Sequence, residues 1–434
     1  MKRKDFAEEY LKIYKDKSIY VCSEKETIYL EGPQSETAKA NQEKIKKELD
    51  NGFLDNVFQD HSLSEVEIRK ISNDLRDSVH ALVNSITSEV GRAIVGLTVL
   101  QLTVKSIIPE QSIRLHKSSH NRASFSWVDG IPMRVIDHTY ITPKLREYDL
   151  LKLNADGFMM TRSLAENYPY TSLYKANIRG AKDEWVAIVN AIEEDPKIAL
   201  ISLKLLISLL KQKSKTFKDK VAKSKDQIRK YLKSSDDFKK IQELLFSFPE
   251  KSSYSARLFE ILIHSFYATL SDEGRLSLFL KPLSQMRSAN KKHGNIGDIE
   301  LLEKPNSMLI AEAWDAKYGK NYLRDELEEL KDKLENHPET RLAGFISSLE
   351  PLDKEEISIR KSEIEEEYGV KILFYSIQDW YSESVKSYNI QDELSFVKKW
   401  FECFFDYLFL ARTKIAPIDE PTETWIDECI ISLQ

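Results

Sequence analysis

Cysteine is scarce: the three in 434 residues, Cys22, Cys403 and Cys429, show no pairing pattern and no zinc-like doublet. That argues against a disulfide-built secreted fold, and a reduced cytoplasmic compartment is expected. Long apolar runs are missing as well. The longest, Gly91 to Ile108, is interrupted by Arg92, Gln101 and Lys105, whereas a spanning helix needs ~20 nearly uncharged residues. No membrane segment is expected. The opening stretch MKRKDFAEEYLKIYKDK begins basic but lacks the apolar core of a signal peptide. There is no glycine-rich phosphate loop, which argues against a nucleotide cofactor and an ATP-driven translocase. No serine or cysteine nucleophile motif occurs either, nor any internal repeat.

What is present is an ordinary globular balance, 41% hydrophobic and 31% charged residues, on a chain long enough for two or three domains. The net charge of -6 hides a strong asymmetry. Between Lys204 and Lys240, thirteen lysines and arginines face only four aspartates, while Glu350 to Glu367 is strongly acidic. Such polarity suits a protein that meets a polyanion on one side and holds cations elsewhere.

Periodicity divides the chain. Residues 1 to about 110 read mainly as helix, with Leu75, Val79, Leu82, Val83 and Ile86 at helical spacing. Residues 111 to about 180 are richer in proline, glycine and aromatics and read as loops and short strands, Met133 to Ile136 among them. Helix resumes near Asp183 and runs through Ile198 to Leu210 into the lysine-rich segment, and SFPEKSS at 247–253 reads as a boundary. The expected organisation is a recognition region over 1–195, a lysine-rich helical connector over 196–250 and a carboxy-terminal domain over 251–434.

In that last region the pattern becomes regular. A helix is expected from Tyr254 to Leu270, and strands at Gly297–Leu302, Ser307–Tyr318, Leu342–Leu349 and Val370–Ile377. Charged helices fall at Asn321–Asn336 and Lys354–Tyr368, and a closing helix at Asp392–Ala411. The fold class is therefore α/β, with a central mixed sheet flanked by helices. Strand alternation puts Asp315 and Lys317 on one face and Trp314 and Ala316 on the other. If the two strands before and after Glu303–Ser307 form a hairpin, Asp298 converges on Asp315. Carboxylates held close together repel and favour a divalent cation, which phosphodiester hydrolysis uses to offset phosphate charge and activate water. Lys317 is placed to orient that water or stabilise the phosphate. A bare D-x-K tripeptide is more often a strand-end ion pair; the apolar strand before it and the second acidic strand raise its significance.

This arrangement resembles the PD-(D/E)XK nuclease superfamily, in particular type II restriction endonucleases. In that family a helix precedes a hairpin that bears an acidic residue and then a (D/E)-x-K triplet. Asp298 matches the first acidic position, Asp315 and Lys317 match the triplet, and Glu260 in Arg257-Leu258-Phe259-Glu260 matches a helix glutamate that often supplements the metal site. The proline that commonly precedes the first acidic residue is Gly297 here. The resemblance covers roughly residues 254–380 and implies Mg²⁺ as cofactor, held by Asp298, Asp315 and Glu260. Glu300 and Glu312 are reserve ligands.

A recognition surface is expected in the amino-terminal region. Arg114, His116, Lys117, Ser119, His120, Asn121 and Arg122 gather cations, hydroxyls and amides before Phe125 and Trp127, and Arg134 extends the supply. A solvated loop with ordinary salt bridges accounts for the same residues equally well, as a solvated helix face does for the lysine run. The implied activity is sequence-specific, Mg²⁺-dependent cleavage of double-stranded DNA by a homodimer. Two alternatives stand beside it. One is a modification-dependent enzyme that places 5-methylcytosine among Phe125, Trp127 and Tyr140. The other is a non-catalytic DNA-binding defence protein.

Overall fold

The computed structural model describes residues 9–22, 25–86, 89–116, 127–151, 168–174, 178, 180–283, 295–414 and 421–434. It is a mixed α/β protein of two compact units, Met1–Thr216 and Phe217–Gln434. No helix among the described residues is long and apolar enough to cross a membrane.

The first unit opens on strand, where the sequence reads as helix. β1 (Tyr10–Ile13), β2 (Lys17–Cys22) and β3 (Lys25–Leu30) form an antiparallel sheet. Only Ser18, Tyr20 and Tyr29 of its residues are fully buried, so the short alternation was overshadowed by the stronger helical signal downstream. Helices follow: α1 (Glu36–Asp50), α2 (Phe53–Gln59), α3 (Glu65–Ile68), α4 (Asn73–Asn84) and α5 (Glu89–Ile107). The apolar run in α5 is an interior helix, with every residue from Ala93 to Lys105 buried. Met133 to Ile136, expected as strand, is α6 (Met133–Ile136), which passes through a π-turn into α7 (Thr142–Glu147). Its Met133 and Ile136 are buried three residues apart, a spacing too short to tell helix from strand. α8 (Lys182–Glu194) and the start of α9 (Ala199–Ser234) complete the core.

The boundary is not at residues 247–253. Pro249 lies inside α10 (Phe238–Lys251), and the units divide within the 36-residue helix α9. Several connector lysines are spent inside their own unit. Lys204 pairs with Asp60 at 3.0 Å, Lys220 with Asp427 at 2.7 Å and Lys225 with Asp406 at 2.6 Å.

The second unit is built on α11 (Ser255–Asp272), an apolar helix buried on almost every side. Around it, β4 (Phe279–Leu280), β5 (Ile299–Leu302), β6 (Ile310–Lys317), β7 (Leu342–Ser347) and β8 (Lys371–Ser376) form one sheet in sequential order. β4–β5 and β5–β6 are antiparallel, and β6–β7 and β7–β8 are parallel. The crossovers are α12 (Arg324–Leu334) and α13 (Glu355–Tyr368), as parallel neighbours require. Acidic residues in the first turn of α12 and lysines in its last suit the helix dipole, and α13 stops at left-handed Gly369. α14 (Ile377–Ser387), α15 (Glu393–Lys414) and α16 (Thr422–Ile431) close the unit.

The Trp314 face of the sheet packs with α11, and the opposite face, through Ala313 and Phe345, packs with α12 and α13. The hairpin link is residues 303–309 rather than Glu303–Ser307. Met308 and Leu309 are exposed there instead of belonging to a buried strand. Gly344 of β7 pairs with Trp314, and a Cβ there would sit 2.3 Å from the indole Cζ3. Gly344→Ala is therefore expected to lower unit stability by about 1–3 kcal/mol through overpacking, seen as a reduced chemical-denaturation midpoint. An unchanged midpoint would show that Trp314 moves freely.

Candidate active site

The hairpin register brings the two aspartates face to face. Extending the pairing of Ile299 with Trp314 by one residue sets Asp298 opposite Asp315. Asp298 Oδ2 accepts the Ala316 N–H at 3.0 Å, and the two carboxyl groups hydrogen-bond to each other. Burial, then the charge of Asp315, then that of Glu260, push Asp298 well above the ordinary carboxylate range. Asp315 also loses hydration on burial, but Lys317, the hydrogen bond from Asp298 and Lys333 outweigh that loss and hold it below the ordinary range. The two carboxyl groups therefore titrate as a coupled pair, with protonation favoured on Asp298 over Asp315.

Lys317 Nζ lies 3.0 Å from Asp315 Oδ2 and also pairs with Glu326 of α12. Glu326 takes Lys320 at 2.5 Å, and Lys333 Nζ stands 4.0 Å from the same Asp315 oxygen. Burial works against the Lys317 cation, yet Asp315 and Glu326 together raise its pKa above the usual lysine value. This lysine is firmly protonated, which makes it a charge and a donor in this state of the protein.

Asp298, Asp315 and Lys317 therefore meet as the strand pattern requires. Glu260 is reached differently. It belongs to α11, its charge is felt at Asp298, and Arg257 Nη1 holds it at 2.5 Å. The reserve residues are elsewhere. Glu300 accepts Lys281 Nζ at 2.5 Å and the Ile296 N–H at 2.6 Å, and Glu312 accepts the Trp314 indole N–H at 2.6 Å on the other strand face. Glu326, Lys333 and Arg257 went unread. Their signal is present: Glu326 and Lys333 flank the stripe Leu327, Leu330, Leu334, so both charges occupy core-facing positions of α12.

Gly297 has a reason to be glycine. A Cβ there would lie 2.6 Å from the Trp314 carbonyl oxygen, a backbone atom that cannot step aside. Proline carries the same Cβ, so this hairpin is closed to both. Gly297→Ala is expected to displace Asp298 and reduce the activity proposed below by roughly 10²-fold, as misplacement of about 1 Å does. Initial-rate measurements on the folded variant check this, and a parental rate would contradict it.

The donor set fits a hard divalent cation. No group of three His, Cys, Asp or Glu side chains among the described residues is close enough to hold a metal by itself. Mg²⁺, however, keeps several waters and is bound by one or two carboxylates together with substrate phosphate, and two carboxylates are what Asp298 and Asp315 offer. The raised Asp298 pKa also carries a stability consequence. A carboxyl whose folded pKa lies above its unfolded value contributes stability below the unfolded value and loses it as pH rises through the folded value. Asp298→Asn, which keeps an oxygen for the Ala316 N–H, should therefore melt higher than the parent at neutral pH without metal, with the gap closing toward pH 4. Equal melting temperatures at both pH values would contradict this.

The expected recognition residues are placed as follows. Arg114 is 8% exposed and spends its guanidinium on the Tyr170 carbonyl at 2.7 Å and Asn190 Oδ1 at 2.6 Å, both inside the unit. Burial, then Arg134, depress His116 to about 4, which leaves it neutral at physiological pH. Arg134 is exposed on α6. Trp127 is 1% exposed and packs edge-on against Tyr29, and the Tyr140 hydroxyl donates to Asp50 at 2.9 Å. Lys117, Ser119, His120, Asn121, Arg122 and Phe125 lie outside the described residues.

The chain matches no protein-family model and no curated protein at a significant level.

Proposed function

We propose that the second unit is a PD-(D/E)XK-like nuclease domain that hydrolyses DNA phosphodiester bonds with Mg²⁺, and that the whole chain acts as a type II restriction endonuclease. The observation that carries this reading is the buried Asp298–Asp315 pair with Lys317 on the same carboxylate. A structural ion pair needs one carboxylate and one cation. Here a second carboxylate is pressed against the first at an electrostatic cost, and perturbed groups of this kind gather at functional sites.

In the proposed site Asp298 and Asp315 hold the cation, with Glu260 added once it leaves Arg257. Bound Mg²⁺ would offset phosphate charge and acidify an attacking water. Lys317, kept cationic by Asp315 and Glu326, donates a hydrogen bond to the phosphate or the water and fixes its approach. Lys333 and Lys320 add positive charge beside the same carboxylates. Double-strand cleavage needs two such sites, so a homodimer on double-stranded DNA belongs to this reading. Sequence recognition is assigned to the first unit, its base-reading groups among Lys117, Ser119, His120, Asn121 and Arg122, with Arg134 alongside.

The test is plasmid cleavage with Mg²⁺ against the same reaction in EDTA, for the parent and for Asp298→Ala. Discrete fragments from the parent with Mg²⁺ alone are expected. Cutting that survives either EDTA or the substitution would remove the assignment.

A further inference from the structure

The parallel strands of the second unit end in a cavity of 690 Å³. All three deliver residues to it: Tyr318 and Gly319 follow β6, Ser348 and Leu349 follow β7, and Ile377 and Gln378 follow β8. In open α/β sheets ligands bind beyond the carboxyl ends of the strands, and this volume is in the range of small-molecule sites, roughly 300–1,000 Å³. Tyr318 directly follows Lys317 at the carboxyl end of β6, and Phe259 directly precedes Glu260 on α11, so two lining residues neighbour residues of the proposed site in the chain.

Its walls have the chemistry of a flat ring system. Phe246 stands 6.0 Å from Tyr381 and 5.9 Å from Trp400, and Phe259 stands 5.9 Å from Tyr318, contacts that keep these rings from folding into the space. Gln242 and Gln378 bring amides that both donate and accept, and Glu243 brings an acceptor suited to an exocyclic amine. Charge decides between the two ends of a nucleotide. Among the described residues of the lining, Lys239 is the one cation, against Glu243 and Glu250, which favours a neutral base over a phosphate.

We propose that this cavity takes a single unpaired nucleobase bearing an exocyclic amine, from the nucleotide beside the phosphate held at the cluster. The placement of that phosphate rests on the nuclease reading; the base site itself does not. Cleavage then includes the unstacking of one base into the protein, as enzymes acting on extruded bases do.

The test uses the four free 2′-deoxynucleosides, without phosphate or metal, and follows binding to the full chain by saturation-transfer NMR. Saturable binding of deoxycytidine, deoxyadenosine or deoxyguanosine in preference to thymidine is expected. Phe246→Ala and Gln378→Ala should each weaken it roughly fivefold or more, as loss of stacking or edge contacts does. Glu243→Gln should shrink the preference over thymidine. Phe246 supports Trp400, so its variant is checked by melting; exposed Gln378 carries the test if that variant unfolds. Absence of binding for all four nucleosides, or binding that survives Gln378→Ala and a folded Phe246→Ala, overturns the base site. Mg²⁺-dependent cutting without nucleoside binding leaves the nuclease reading standing alone. Nucleoside binding without cutting does the reverse.

Discussion

Lys317→Ala is expected to lower Mg²⁺-dependent DNA cutting by roughly a thousandfold or more while DNA binding stays within a few-fold of the parent. The size follows from what is removed: one pre-positioned charged donor at a developing phosphate charge supplies several kcal/mol, and each ~1.4 kcal/mol is a factor of ten. Binding is expected to be spared because phosphate contacts in a DNA complex spread over a long interface, of which this lysine would be a single member. The substitution also breaks a buried network, since Lys317 bridges Asp315 and Glu326. A stability loss alone would lower activity too, and Lys317→Arg separates the two causes. It keeps the charge against both carboxylates but brings a planar fork in place of a compact ammonium. Near-parental melting with cutting still strongly reduced is expected. Recovery of cutting in the arginine variant would reduce Lys317 to a structural counter-ion. Thermal unfolding and single-turnover rates on the same samples decide it.

The second large effect is on folding of the first unit. Glu193→Ala is expected to cost about 3–5 kcal/mol, the penalty for leaving a buried charge unpaired. Lys105 is 3% exposed on the interior helix α5, and its Nζ is held by Glu193 at 2.7 Å and by the Gln111 carbonyl at 3.0 Å. Glu193 also accepts the Ser112 hydroxyl at 2.9 Å and the Ile113 N–H at 2.7 Å. One carboxylate therefore neutralises an interior lysine and pins the backbone that leads into Arg114. Removing it takes a partner from three donors at once and leaves the Lys105 cation with only the Gln111 carbonyl. A drop in melting temperature on the order of 10 °C is expected for a unit of this size. The double variant Lys105→Met with Glu193→Ala should recover much of the loss, because the stranded cation is gone. A single variant that melts like the parent would mean water reaches Lys105.

How far the residues announced this structure depends on length and periodicity. The second unit was largely legible. Strands β5 to β8 and helices α11, α12, α13 and α15 lie where apolar runs and charged amphipathic stretches put them. Asp315 and Lys317 were legible because alternation is geometric, and Asp298 because a hairpin fixes its register. Glu326 and Lys333 were missed since a charged helix looks solvated throughout; their place on the leucine stripe was the overlooked sign. The first unit was read less well. The β1–β3 sheet is short and buries few of its residues fully, and α6 offers a single turn, so neither leaves a periodic signal that outweighs its neighbours. Arg114 and Trp127 show the limit of reading composition as surface. Both belong to types that touch DNA, and both are buried by partners distant in sequence, Tyr170 and Asn190 for one and Tyr29 for the other.

The proposed role of Asp298, Asp315 and Lys317 is a metal-dependent DNA-cleaving site. Digestion of a plasmid library carrying mixed methylation, with Mg²⁺ or with EDTA, followed by sequencing of the fragment ends, tests it most directly. Parental protein should give ends at one recurring sequence with Mg²⁺ and none with EDTA, and Asp315→Ala should give none under either condition while still shifting the DNA in a gel. Uncut DNA in every parental reaction, or identical ends from Asp315→Ala, would contradict it.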